Sequence, residues 1–373
     1  MTERMRTWAE VSIENLRHNY DALRARTDGS RFLGVVKANA YGHGSVRISQ
    51  ELAALGANYL GVASLGEAER IAEGVPNHPP ILIMGYTPCE EADELISGGF
   101  TQTVMDIDSA RIYSERAISM GKSLKIHIKL DTGMGRIGFH PQAGMPDEIL
   151  EILSLPGLEP EGIFTHFAVA DEPGGEEFTY GQMEKFKDAV AQMECASGVR
   201  FEIKHCANSG GVVNYGEAFF DMVRPGIALY GGCAGSTGGL DLRPVMSLKT
   251  RVAHIKNIRA GDSVSYGRTY IAPEKRKIAV LPVGYADGLH RAMSGKIDVL
   301  INGQRATQIG RICMDMCMVD ITRIDSCSTG DVVTIFGVDG DRVITLEEQA
   351  EKAGTITYEL LCAVSPRVPR VYI

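Results

Sequence analysis

From residue 32 to residue 224, short apolar runs alternate with stretches of helical pattern, and this alternation constrains the chain more than anything else in it. The runs are 32–36, 59–63, 81–84, 101–104, 124–130, 161–165, 201–206 and 221–224. Between them, 45–55, 65–73, 88–97, 107–120 and 176–196 carry apolar residues at helical spacing. Strands separated by helices imply parallel pairing through βαβ units. Eight such units predict an α/β fold, a TIM-like (β/α)8 barrel. An open doubly wound sheet is the alternative. Its Gly-rich dinucleotide turn after the first strand is missing, and Lys37 stands there instead.

The pattern changes after about residue 235. Cys233-Ala-Gly-Ser-Thr-Gly-Gly239 reads as a linker. Strand-like runs follow at 250–258, 277–283, 297–301, 317–321 and 331–336, with helical pattern only near 345–353. The expected organisation is a barrel over 12–235 and a mostly-β C-terminal domain over 236–373, joined by an N-terminal strand within 1–11. The chain has 373 residues, ample for two such domains. A formal charge of −9 argues against a nucleic-acid or anionic-membrane binder. No apolar stretch approaches the ~18 residues of a membrane span, and the N-terminus lacks a signal-peptide core, so a cytoplasmic protein is expected. The eight cysteines suit reduced thiols, and with Cys313 and Cys317 the only close pair, no metal site is expected.

In barrel enzymes the chemistry gathers where strands end. Lys37 follows strand one, Arg136 follows strand five, and His166 closes strand six. Asn208 and Ser209 follow strand seven, and Arg224-Pro-Gly226 follows strand eight. Lys37 ends an apolar run and opens a small, Gly-bearing turn, a setting in which desolvation frees a nucleophilic amine. A lone strand-end lysine more often only snorkels. The last two loops offer the Ser209 hydroxyl and the Gly226 and Ile227 amides, a combination that suits phosphate. A Schiff-base lysine facing a phosphate cup suggests pyridoxal 5′-phosphate. A class I aldolase-like barrel, its lysine acting directly on a sugar phosphate, fits the same pattern.

Val35-Val-Lys-Ala-Asn-Ala-Tyr-Gly-His-Gly44 resembles the cofactor-lysine signature of the alanine racemases, fold-type III pyridoxal-phosphate enzymes. Matching motifs continue through Lys129-Leu-Asp-Thr-Gly-Met-Gly-Arg136, Thr165-His-Phe-Ala-Val-Ala-Asp171 and Val223-Arg-Pro-Gly-Ile-Ala-Leu-Tyr230. Val264-Ser-Tyr266-Gly-Arg, Pro282-Val-Gly-Tyr285-Ala-Asp-Gly, Gly310-Arg-Ile-Cys-Met-Asp315 and Thr355-Ile-Thr-Tyr358-Glu extend the resemblance almost to the end. It implies interconversion of L- and D-alanine for peptidoglycan, with Lys37 bound to the cofactor. Tyr41, Ser209, Gly226, Ile227 and Tyr358 would hold the phosphate, and Arg224 would face the pyridine nitrogen. Arginine stays protonated, so it leaves that nitrogen neutral.

The family takes one base from each face of the substrate. Here these would be Lys37 and a partner subunit's Tyr266, with His166 and Arg224 favouring the phenolate, which makes the expected enzyme a homodimer. Arg136, assisted by the partner's Met314, would meet the substrate carboxylate. Alternation puts His127, Lys129 and Asp131 on one strand face. A cationic Lys129 would repel Arg136, and some family members carry a carboxylated lysine here, so an N6-carboxylysine is expected. Tyr285 joins the inner gate, and Asp171, Arg291, Arg311 and Ile356 the outer entrance. Gly210-Gly211, where the family usually has alanines, suggests a more mobile phosphate loop. A serine or broad-specificity racemase, a non-catalytic cofactor carrier and a decarboxylase are the rival readings. The cofactor carrier would not need the β domain with Tyr266.

Overall fold

The computed structural model describes residues 2–27, 29–141, 147–232 and 238–373. One strand, β1 (Thr7–Val11), precedes a helix over Ile13–Arg26. Eight parallel strands then follow: β2 (Arg31–Val35), β3 (Tyr59–Val62), β4 (Ile81–Ile83), β5 (Thr101–Val104), β6 (Leu124–Lys129), β7 (Leu158–Phe164), β8 (Ile203–His205) and β9 (Met222–Val223). Each pairs with the next from β2 to β8, and β9 pairs with β2. Backbone bonds from Asp221 N–H to Lys204 O (3.0 Å) and from Arg224 N–H to Ala207 O (2.9 Å) bridge β8 and β9, which closes the barrel. The predicted barrel is the fold observed, with a mostly-β domain after it. Strands such as Tyr59–Val62 and Ile81–Ile83 read as continuous apolar runs because both faces are covered, and both are buried throughout.

The last third of the chain forms a ten-stranded, largely antiparallel sheet. β1 lies inside it, antiparallel to Met246–Arg251 and parallel to the terminal strand Arg370–Tyr372. Met246–Arg251 alternates buried and half-buried residues, as a one-sided sheet requires.

The single strand expected over 250–258 is two, Met246–Arg251 and His254–Ile258. Between them the chain changes partner: Val252 N–H bonds Asp331 O, and Ala253 N–H bonds Val280 O. Strands at Gln304–Ile309 and Arg342–Ile344 and a helix at Thr357–Ala363 were not expected. The join expected at 235–236 lies outside the described residues, as does most of the linker.

Candidate active site

Lys37, Arg136, His166, Asn208 and Arg224 follow β2, β6, β7, β8 and β9, all at one end of the barrel. Immediately after Lys37 the backbone turns left-handed: Ala38, Asn39, Ala40 and Tyr41 have φ of 52°, 55°, 54° and 50°. Such a turn in non-glycine residues costs about 1–2 kcal/mol per residue and persists only when its surroundings fix it. Glu67 supplies part of that, accepting from Ala38 N–H at 2.7 Å and from Ala63 N–H, at the end of β3, at 2.8 Å. Asn39 Oδ1 accepts from Ser45 N–H at 2.9 Å.

Lys37, Lys129, Arg136 and His166 line one cavity of about 270 Å³, with Met84, Tyr86 and Phe164 among its apolar walls. Burial, then the charge of Arg136, lowers the Lys37 pKa. Lys129 is buried, its Nζ donating to Leu130 O at 2.6 Å and Ile137 O at 3.3 Å, and burial pushes its pKa down to about 8. Burial and then Arg224 hold His166 well below the usual imidazole value, so it is neutral at pH 7. Arg136 lies exposed on a loop that Asp131 organises by accepting the N–H bonds of Gly133, Gly135 and Arg136, each at 3.0 Å.

Arg224 is buried and, among the described residues, meets no carboxylate directly. Its Nη2 donates to Thr165 O (2.8 Å) and Cys206 O (2.9 Å), and lies 3.5 Å from His166 Nδ1. Its Nη1 lies 2.8 Å from His205 Nδ1. A guanidinium can only donate, so His205 Nδ1 accepts and its proton sits on Nε2. That nitrogen lies 2.8 Å from His127 Nδ1, and His127 Nε2 lies 3.2 Å from Glu161 Oε2. Every bond therefore points the same way, from Arg224 through two neutral imidazoles to a carboxylate. Tyr59 (2.6 Å) and Lys125 (2.6 Å) also donate to Glu161. Although burial raises its pKa, these bonds outweigh it and bring Glu161 down to about 2. Burial lowers Arg224 only to about 10, so it remains charged at neutral pH.

Beyond Arg224, Ser209 Oγ accepts from Gly226 N–H (2.9 Å) and Ala228 N–H (3.3 Å). Asn208 caps the helix Ser209–Asn214, accepting from Gly211 N–H at 3.0 Å. Gly226 has no Cβ because one would sit 2.5 Å from Tyr41 Oη. Ile227 is buried beside it, and the Tyr41 ring lies 5.0 Å from Tyr230 and 6.1 Å from Tyr358. The expected mobility of Gly210-Gly211 meets a different geometry: both are buried, and a Cβ on Gly210 would lie 2.9 Å from the Ala170–Asp171 backbone. The glycine there serves close approach between two loops.

Tyr266 lies between the short paired strands Ser263–Val264 and Tyr270–Ile271 of the β domain and is 71% exposed. Tyr285 (44%), Met314 (53%) and Ile356 (59%) are also exposed. The loops of Tyr285 and Met314 are joined by Tyr285 N–H to Cys313 O and Ala286 N–H to Met314 O, both 3.0 Å. Arg291 is exposed, and Asp171 and Arg311 are half-buried. Among the described residues no group of three or more His, Cys, Asp or Glu could hold a metal, and no helix is long and apolar enough to cross a membrane.

The His205–His127–Glu161 chain, Glu67, Tyr59 and the loop-organising role of Asp131 were not expected from the sequence. His127 and Asp131 left a trace there, through their place in the alternation with Lys129.

The family models for the N-terminal and C-terminal domains of alanine racemase match residues 11–234 and 245–372. The chain belongs to the alanine racemase family. It is similar to alanine racemase 1 of Clostridium acetobutylicum, 44% identical over 98% of this chain and 95% of that protein. An alanine racemase of Methanococcus maripaludis is 42% identical, with 98% of each covered. The solved alanine racemase of Clostridium difficile 630 superposes with a TM-score of 0.93 at 38% identity, covering 99% of this chain and 96% of that one. That of Bacillus anthracis with bound L-Ala-P gives 0.91 at 34%, covering 99% and 95%. The expectation of an isomerase, an amino-acid racemase, stands with that membership.

Proposed function

We propose that this chain interconverts L- and D-alanine with pyridoxal 5′-phosphate, in a homodimer whose active sites each draw on both subunits, and that the D-alanine supplies peptidoglycan. The observation that carries the reading is the cation-rich cavity at the barrel rim. It holds a desolvated Lys37, and behind its His166 wall lies Arg224, still charged and donating to two backbone carbonyls and the neutral His205. Free thiols among the described cysteines suit a reducing, cytoplasmic setting.

The residues fit the cofactor. Lys37 would anchor it covalently, and Ser209, Tyr41, Tyr358 and the Gly226 and Ile227 amides would hold its phosphate, with Asn208 capping the helix behind them. The close approach of Tyr41 Oη to Gly226, 2.5 Å from where a Cβ would sit, supports this cradle. Arg224 would face the ring nitrogen. When bound, the cofactor supplies an electron sink that acidifies the substrate Cα–H.

The chain's own residues do the rest. The lowered Lys37 pKa leaves more neutral amine near pH 7, ready to take a proton from one face of Cα or return it. Tyr266 of the partner subunit serves the other face, with His166 and the charge of Arg224 behind it favouring the phenolate. Arg136, assisted by the partner subunit's Met314, binds the substrate carboxylate. Lys129, with a pKa near 8, has enough neutral amine to add carbon dioxide and release a proton, giving a carbamate. That N6-carboxylysine replaces a cation beside Arg136 with an anion. Tyr285, Asp171, Arg291, Arg311 and Ile356 form the entrance.

Circular dichroism of an L-alanine solution tests the proposal. Added protein should carry the signal to zero, and borohydride pretreatment of the loaded protein should prevent it. A signal that stays at its starting value with cofactor present defeats the reading.

A further inference from the structure

The left-handed turn after Lys37 ends in carbonyls that need donors, and these come from the last residues of the chain. Arg370 Nε donates to Gly42 O at 2.8 Å, and Tyr372 Oη donates to His43 O at 3.1 Å. The approach is close: a Cβ on Gly42 would lie 2.3 Å from Leu361 O, and one on Gly44 2.0 Å from Tyr372 Oη. Gly42 and Gly44 also have φ of +81° and +101°, open to glycine and costly for other residues.

Arg370 has a second set of partners. Its Nη2 donates to Val364 O at 2.6 Å, and its Nη1 to Ser365 O at 2.6 Å and Val368 O at 2.7 Å. Val364 and Ser365 end the helix Thr357–Ala363, which carries Tyr358. Among the described residues no carboxylate pairs with Arg370; its guanidinium is spent entirely on backbone. The strand bearing it is itself fixed, since Arg370 and Val371 register with Ala9 and Glu10 of β1.

We propose that Arg370, supported by Tyr372, is a positioning residue for the reaction, fastening the Lys37 turn to the Tyr358 helix so that Lys37, Tyr41 and Tyr358 keep register around one cofactor site. The role in cofactor binding rests on the function proposed above; the fastening itself does not. A planar guanidinium can serve both segments at once in fixed directions, which a lysine ammonium cannot. The turn is the most strained stretch of backbone near the cavity, so it is where a lost donor acts first.

The test uses the full chain with Arg370→Met, Arg370→Lys and Tyr372→Phe. Hydrogen exchange is followed at 38–44, 357–364 and the sheet neighbours 7–11 and 246–251, with and without pyridoxal 5′-phosphate. Arg370→Met should speed exchange at 38–44 and 357–364 about tenfold without the cofactor, while the sheet neighbours hold. Its dissociation constant for pyridoxal 5′-phosphate should rise about tenfold, with kcat at saturating cofactor changing far less. Arg370→Lys should recover part of both losses, and Tyr372→Phe, which keeps the guanidinium, should show about a threefold change at 38–44 alone. Unchanged exchange at 38–44, or an equal rise in the sheet neighbours, overturns the proposal, because Arg370 would then only complete the sheet. If the wild-type chain fails to bind pyridoxal 5′-phosphate, the cofactor reading falls, and the exchange data still decide the clamp.

Discussion

In the barrel, Arg224, His205, His127 and Lys129 are buried and each is hydrogen-bonded, so the charges around the cavity are set before any ligand arrives. In the β domain, Tyr266, Tyr285, Met314 and Ile356 stand in the open with large apolar surfaces uncovered. Exposed apolar residues gathered on one domain mark a surface that meets another. The barrel thus holds a finished half of a site, and in the proposed homodimer the β domain's exposed groups would gain their environment against a second chain.

The sharpest way to break this contrast is to remove one group from each side. Lys37→Ala should lower racemisation in both directions by at least about 10⁴-fold, measured by polarimetry. Tyr266→Phe should cost about 10³-fold in both directions and still permit solvent exchange of the Cα hydrogen of one enantiomer, followed by proton NMR in D₂O. Exchange lost equally for both enantiomers would contradict a base on each face. Lys129→Ala comes next, with kcat/KM lower by about tenfold because Arg136 loses its support. Intact mass in bicarbonate buffer should show one carbon dioxide added to the wild type and none to this variant.

Glu161→Gln tests whether the barrel half is preorganised through its interior. The folded Glu161 pKa, about 2, lies below the ordinary 4.5, so its stabilisation is full above pH 4.5 and disappears as pH falls towards 2. Urea unfolding of the wild type should show that loss over pH 4.5 to 2, and Glu161→Gln should lack this component. The substitution should cost about 2 kcal/mol at pH 7. The smallest effect belongs to the entrance: Asp171→Asn and Arg291→Gln should change kcat/KM by less than about twofold, since the half-buried Asp171 and the exposed Arg291 both meet solvent that screens their charge.

The barrel was legible in the sequence because buried parallel strands leave continuous apolar runs, and chain order alone put Lys37, Arg136, His166, Asn208 and Arg224 at one end. The His205–His127–Glu161 chain was not, because its members lie on the three neighbouring strands β8, β6 and β7 and meet only once these pair side by side. Arg370 was hidden for the same reason, 328 residues from the carbonyl it holds. The split at Val252 was invisible because a change of strand partner leaves the apolar pattern continuous. Gly210-Gly211 read as mobile because a sequence shows the missing Cβ and not the Ala170–Asp171 backbone that occupies its place.

The central claim is that Lys37 and Tyr266 act together only across two chains, and mixing the two inactive variants tests it most directly. Lys37→Ala and Tyr266→Phe chains, tagged differently and co-expressed, form hybrids in which one site carries both lesions and the other carries neither. Random pairing should restore roughly a quarter of wild-type activity, because half the dimers are hybrids with one intact site each. Purified hybrids that remain as inactive as the separate variants would contradict the account.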